Sequence, residues 1–127
     1  MYKEINILCV KQPFSWLIVS GVQNIENRSW NTNYRGELYI STSKTPYPDE
    51  DEIIAQIEKQ YKVKIPSSQL RYGGIIGKVE LVDVVTESQS KWHHEGFFGF
   101  VLRKPKLIRF MPIKSERGVF TRRMEVD

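Results

Sequence analysis

The stretch ILCVKQPFSWLIVSGVQNIENRSWNTNYRGELYISTSK, residues 7–44, contains the order of elements on which the predicted fold depends. Apolar runs and turn residues divide it into short segments. Pro13 suits the first turn of a helix and Gly21 suits its end, so a helix is expected between them. The pattern predicts a strand, a short helix and two further strands, at residues 5–10, 12–20, 24–30 and 37–43.

The rest of the chain predicts one more helix and then mainly strands. Residues 49–62 begin with four acidic residues and end with lysines, which suits the helix dipole, so we interpret the acidic run as helix stabilisation and not as a metal site. Gly74 and Gly77 indicate a bulge or a close backbone approach. This order favours an α+β fold, a small curved β-barrel, over a parallel βαβ sheet. The further strands are predicted at residues 73–86, 97–103 and 107–113.

Size and composition indicate a single globular domain over residues 1–127. The chain is 40% hydrophobic and 27% charged, which is unlike disordered or membrane sequences. No apolar run approaches the roughly 20 residues that cross a bilayer. The N-terminus lacks a cationic flank before a long apolar stretch, so we expect no secretory signal and no membrane partner.

Cys9 is the only cysteine, which excludes an intrachain disulfide. Its apolar neighbours predict a buried, reduced thiol that acts as a small core residue and not as a nucleophile. A reduced thiol fits a cytoplasmic location, which is our expectation for the protein.

The net charge of +4 is concentrated at one end of the chain. Residues 1–102 contain 11 basic and 12 acidic residues, whereas residues 103–127 contain 8 basic and 3 acidic residues. A cationic segment of this kind either attracts RNA or DNA or forms a solvated face. Charge alone does not choose between these alternatives.

The segment at residues 24–30 is the most informative part of the sequence for function. On a strand, Glu26, Arg28 and Trp30 share one face because alternate side chains do. An acid, a guanidinium and an indole together suit a ligand site, with Arg for phosphate or a base edge and Trp for stacking. The alternative is an internal Glu26–Arg28 ion pair beside a partly buried Trp30.

Two other motifs are weaker signals. The motif KQPFSW, residues 11–16, opens the first helix, where free backbone N–H groups favour anions and Lys11 and Gln12 could add donors. The motif WHHE, residues 92–95, has no third His or Cys to support a metal site, and Trp92 either lines a pocket or covers a sheet edge. The sequence contains no nucleotide-binding or hydrolase signature, and we expect no cofactor.

Residues 7–44 resemble the opening of the ASCH domain (activating signal cointegrator homology domain), whose pattern runs roughly QPWA, GxKxxExRxW and YRGxLxIxAS. Two later stretches are similar to the same family: GGIIGKVELVDVV at residues 73–85 and FGFVLRKPKLIRFMPIK at residues 98–114. These pieces cover nearly the whole chain in the family's order and spacing. The matching positions in the opening are Gln12, Pro13, Phe14, Gly21, Glu26, Arg28, Trp30, Arg35, Gly36, Leu38, Ile40 and Ser43.

The resemblance implies a PUA-like mixed β-barrel with two or more helices at its openings. It also implies nucleic-acid binding, which is an analogy because fold does not fix function. It implies a cleft where Gln12, Gln23, Glu26, Arg28 and Trp30 meet.

One small bacterial branch of the family resembles an amidohydrolase acting on N4-acetylcytidine, with a Lys and, three residues later, a nucleophilic Thr. This chain has Gln23 and Glu26 at those positions. Neither residue can take over the role of the one it replaces, so that activity is not expected here. Gln23 also removes a cation from the implied cleft, although a Gln can read a base edge.

The leading hypothesis is a non-catalytic module that binds RNA or single-stranded nucleic acid. The alternatives are an enzyme acting on a modified nucleoside with Glu26 as general base, and a module that binds a nucleotide, modified base or peptide end. The candidate binding residues are Lys11, Gln12, Trp16, Gln23, Glu26, Arg28, Trp30, Arg35 and Trp92.

Overall fold

The computed structural model describes residues 1–127 and shows an α+β fold with six strands. Neither α-helix has the length and apolar character needed to cross a lipid bilayer. The elements, in chain order, are β1 (Tyr2–Cys9), α1 (Phe14–Val19), β2 (Ile25–Arg28), β3 (Gly36–Ser41), α2 (Glu50–Tyr61), a short 3-10 helix (Ser67–Gln69), β4 (Gly74–Val85), β5 (Phe98–Pro112) and β6 (Val119–Glu125).

The strands form one mixed sheet in the order β2-β5-β4-β3-β1-β6. β1 and β3 are parallel, and the other neighbouring strands are antiparallel. β2 and β6 lie at opposite ends of this order and do not pair, so the sheet is open and the expected closed barrel is not confirmed. The reason is that β2 has only four residues and joins the sheet through β5 alone.

A side chain connects β2 to the far part of the sheet in place of backbone pairing. The ladder between β1 and β6 ends at Leu8 and Val119, so the carbonyl of Cys9 lies beyond it. The Nη2 group of Arg28 donates a hydrogen bond to that carbonyl at 2.7 Å. Arg28 thus links β2 to the end of β1.

The two strands predicted at residues 97–103 and 107–113 are one strand, β5, which stays paired with β4 along most of its length. The register between β4 and β5 shifts near the irregular centre of β5, where Lys104 has a φ of 53°. β6 was not predicted, because its arginines made the segment look like a cationic surface stretch. In the structure Phe120 is buried, and Arg122 and Met124, which share its face of β6, are half-buried.

Gly77 allows α1 to pack closely on the sheet. A Cβ atom at this position would lie 2.6 Å from Val19 of α1 and 2.5 Å from the backbone oxygen of Lys106. The register between β4 and β5 also shifts between Ile75 and Gly77. The prediction of a bulge or a close backbone approach at Gly77 is therefore confirmed.

α2 covers the other side of α1 through an apolar cluster that includes Leu17, Ile54, Ile57 and Trp92. Its acidic first turn makes one specific contact, in which the Tyr72 hydroxyl donates to Glu50 at 2.5 Å. Burial and this carboxylate raise the pKa of Tyr72. The packing of α2 against Trp92 forms one wall of a cavity with polar and aromatic lining.

Candidate functional site

Arg28 is the centre of the candidate site. Its Nε and Nη2 atoms lie 3.0 Å and 2.9 Å from Oε2 of Glu26, and its guanidinium carbon lies 5.9 Å from the ring centre of Trp30. The face predicted from the strand alternation is therefore assembled, and so is the alternative ion pair. The side chain of Arg28 is 23% exposed, and its Nη1 group makes no hydrogen bond within the protein. It can therefore donate to a ligand.

Two hollows meet at Arg28. The outer groove has a volume of about 960 Å³, and the inner cavity has a volume of about 740 Å³. Cys9, Lys11 and Arg28 line both of them. Both volumes fall in the range of about 300–1,000 Å³ that is typical of ligand sites.

The outer groove is cationic and mostly formed by small or exposed side chains. Lys11, Arg28 and Arg117 contribute positive charge, and Trp30 provides the aromatic surface. Glu116 also lines the groove, but its carboxylate is paired with Arg122. Arg117 is exposed and has no ion-pair partner. An anionic ligand would therefore meet two or more unneutralised cations here.

Lys11 is held at the boundary of the two hollows. Its Nζ atom donates to Oγ of Ser43 at 3.2 Å and to the carbonyl of Thr45 at 2.5 Å. It also lies 5.3 Å from the ring centre of Tyr47. These contacts are with neutral groups, so the positive charge of Lys11 is oriented but not cancelled.

The inner cavity combines aromatic walls with buried polar groups. Tyr61 and Trp92 stack with their ring centres 3.8 Å apart, and Trp92 is 4% exposed. Trp92 is therefore a fixed part of the wall, whereas Phe97 is exposed at the rim. The other aromatic residues of this cavity are Phe14 and Tyr47.

Glu26 and Gln23 are the buried polar residues of the inner cavity. Burial raises the pKa of Glu26, and the adjacent Arg28 guanidinium opposes that effect. The Nε2 group of Gln23 donates to the carbonyl of Ile25 at 2.7 Å, whereas its Oε1 atom has no partner. This oxygen is itself enclosed by the protein.

The structure does not place Gln12, Trp16 or Arg35 in either hollow. Gln12 is 2% exposed, and it accepts a hydrogen bond from the backbone of Trp16 and donates to the carbonyl of Arg71. Gln12 thus occupies the backbone N–H of Trp16 in the first turn of α1, which favours an ordinary helix start over an anion site. Arg35 donates to the carbonyls of Thr32 and Tyr34 and lines neither hollow.

Cys9 is half-buried and lines both hollows, so the prediction of a buried core thiol is wrong. The cause is its position as the last residue of β1, where β6 no longer covers the strand. Tyr47 and Phe97 were missed as site residues. An aromatic residue between two prolines, as at Tyr47, was the signal that could have identified one of them.

The basic residues of the C-terminal segment are spread over several surfaces. Arg117 lines the outer groove. Arg103 and Lys104 border a separate depression, and Lys106 and Arg109 border another. The excess charge is therefore not collected into one stripe. His94 lines the inner cavity, and no cluster of three or more His, Cys, Asp or Glu side chains could hold a metal ion.

The open six-stranded sheet and two helices define a small α+β domain, and two hollows meet at one end of its strand β2. The family model described as the ASCH domain matches residues 8–117, and the chain therefore belongs to the ASCH domain family. The resemblance seen in the sequence is confirmed.

Two curated relatives match this domain. The chain is 31% identical over 129 residues to Activating signal cointegrator 1 of Homo sapiens and 29% identical over 129 residues to the protein of that name in Mus musculus. Each alignment covers 89% of this chain and 21% of the relative. The chain thus spans about a fifth of the length of the curated relatives it matches.

Proposed function

We propose that this chain is a non-catalytic module that binds single-stranded nucleic acid, RNA above all, through the cleft at Arg28. Phosphates would occupy the outer groove and one base would occupy the inner cavity. The observation that carries this proposal is the position of Arg28 between the two hollows with its Nη1 group free. Membership of the ASCH family supports a nucleic-acid-related role.

The charges of the outer groove support phosphate binding. Cations that contact phosphates supply much of the affinity for nucleic acids and make it depend on salt. Lys11 and Arg28 are oriented by hydrogen bonds, whereas Arg117 extends freely from the loop before β6. Arg117 is therefore the residue whose removal disturbs the fold least.

The lining of the inner cavity supports the placement of a base. Single-stranded bases are bound by stacking on aromatic rings and by hydrogen bonds to their edges. The cavity offers aromatic surface from Tyr47, Phe97 and the Tyr61–Trp92 stack, next to the polar groups of Gln23 and Glu26. A purely apolar pocket would offer no hydrogen-bond partners to the edge of a base.

The experiment compares Arg117→Ala with Arg123→Ala, a matched control in which an exposed arginine outside both hollows is removed. Binding of a fluorescein-labelled 12-nucleotide RNA is followed by anisotropy over a series of salt concentrations. Loss of one phosphate contact reduces the salt slope by about 0.7 for a single strand. We expect this change for Arg117→Ala only. Equal effects of the two variants, or no binding by the unmodified protein, would contradict the proposal.

A second candidate function is supported by the burial of Glu26 in a cavity, because a carboxylate with a raised pKa can act as a general base. Incubation with N4-acetylcytidine and related amides, with Glu26→Gln as the control, tests this alternative. If the unmodified protein forms product and the Glu26→Gln variant does not, the result would favour an enzymatic function.

A third candidate, the binding of single nucleotides, is distinguished by thermal shift. Stabilisation by free nucleosides or nucleotides as strong as that by RNA would favour a small-ligand module over a polymer-binding one.

A further inference from the structure

We propose that Arg122 is a positioning residue of the outer groove, because it binds the carboxylate of Glu116 and so prevents that anion from repelling phosphates. This inference rests on the proposed binding of RNA phosphates in the groove. It assigns a role to an arginine that lines neither hollow but contacts the loop that forms one wall of the groove.

That wall is the loop between β5 and β6, residues 113–118. The loop supplies four of the nine residues that line the outer groove, more than any other segment. They include one cation, Arg117, and directly before it one anion, Glu116. The effect of this wall on a phosphate therefore depends on whether the carboxylate of Glu116 is already paired.

Arg122 reaches this loop from the middle of β6. Strand alternation places it on the same face as the buried Phe120, and its guanidinium carbon lies 5.1 Å from the centre of that ring. Its Nη1 group donates to the carboxylate of Glu116, and its Nη2 group donates to the carbonyl of Lys114 at 3.1 Å. The same guanidinium thus pairs the anion of the loop and binds the backbone two residues before it.

The Glu116–Arg122 pair matters more for charge than for stability. The side chain of Glu116 is 55% exposed, and an exposed ion pair adds little to the free energy of folding. The loop has a second attachment, since the hydroxyl groups of Ser115 and Ser41 lie 3.1 Å apart. We therefore expect the loop to stay in place without Arg122, with an unpaired carboxylate in the groove that opposes phosphates within the Debye length of about 8 Å.

The test compares Arg122→Met with Arg123→Met, a control that removes the same charge from the opposite face of β6. Binding of a fluorescein-labelled 12-nucleotide RNA is followed by anisotropy. We expect Arg122→Met to weaken binding about threefold, the size of one exposed charge interaction, and Arg123→Met to leave it nearly unchanged. Adding Glu116→Gln to Arg122→Met should restore the affinity, because the pair again has no net charge. A role confined to folding of the loop would not give this rescue.

A single substitution tests the same idea without altering Arg122. Glu116→Gln leaves the guanidinium as a free cation beside the groove, so this variant should bind the RNA about threefold more tightly than the unmodified protein. All of these differences should shrink as the salt concentration rises, since salt screens exposed charges.

The outcomes separate this inference from the proposed function. Equal affinities of the Arg122→Met and Arg123→Met variants, together with a weakened Arg117→Ala variant, would overturn the role of Arg122 and leave nucleic-acid binding intact. A double variant as weak as Arg122→Met, or a Glu116→Gln variant that binds no more tightly than the unmodified protein, would also overturn that role. Absence of binding by the unmodified protein would overturn the proposed function and this inference with it.

Discussion

The outer groove and the inner cavity share Cys9, Lys11 and Arg28, but the rest of each is built from opposite kinds of side chain. The groove gains its charge from exposed residues such as Arg117, which have few contacts of their own. The polar groups of the cavity are buried and held by the free edge of β2. Under the proposed function, this difference predicts that the groove contributes affinity that salt weakens, whereas the cavity contributes selectivity that depends on fixed geometry.

Removal of Arg28 should have the largest effect, because both regions use it. Arg28→Ala leaves Glu26 buried without its partner, and we expect the free energy of unfolding to fall by about 2 kcal/mol, below the values for fully buried pairs. RNA affinity should fall about tenfold, as for the loss of a charged hydrogen bond. Urea denaturation and anisotropy measure the two effects.

The double variant Arg28→Ala/Glu26→Gln separates stability from binding. Removing the unpaired carboxylate should restore most of the stability without restoring RNA affinity. Recovery of binding in the double variant would show that Arg28 acts only by holding the fold together.

The single cysteine gives a second, smaller test of how the two regions are occupied. With RNA at about four times its Kd, four-fifths of the protein is bound and alkylation of Cys9 by N-ethylmaleimide should slow about fivefold. An abasic oligonucleotide should protect Cys9 through the groove, and a free nucleoside should protect it through the cavity. An alkylation rate that bound RNA does not change would place the ligand elsewhere.

The smallest expected effect is a pH dependence of the free energy of unfolding that arises from Glu26 in the inner cavity. Burial raises the pKa of Glu26, so above its ordinary value of about 4.3 the folded state holds more protons than the unfolded state. Stability from Glu26 is therefore lost as pH rises. The free energy of unfolding, relative to that of Glu26→Gln, should fall as the pH rises above the ordinary pKa of a glutamate. A difference that grows with pH would show that Arg28 outweighs burial.

Local patterns in the sequence predicted most of the fold and the central part of the site. The alternation placed Glu26 and Arg28 together on β2, and Trp30 lies against Arg28 although the strand ends two residues before it. The role of Gln12 could not be predicted in this way, since its partner is the carbonyl of Arg71, 59 residues away. Tyr47 and Phe97 also reach the cavity from segments that are far apart in the sequence, so no local pattern could predict their positions.

The irregular centre of β5 made this one strand look like two in the sequence. Lys104 and Pro105 suggested a break, whereas the pairing with β4 continues on both sides of them. The openness of the sheet was also not predictable, because it depends on which strands meet at its ends and not on any local pattern.

The short length of β2 has a consequence for protein engineering. This strand contributes a single ladder of four residue pairs, and the other ladders of the sheet are formed without it. We therefore expect a library that varies its half-buried residues, Asn27 and Arg28, to keep those other ladders, with the loss of stability given above where Arg28 changes. A selection against immobilised ligands could then adapt this domain into a reagent for chosen nucleobases.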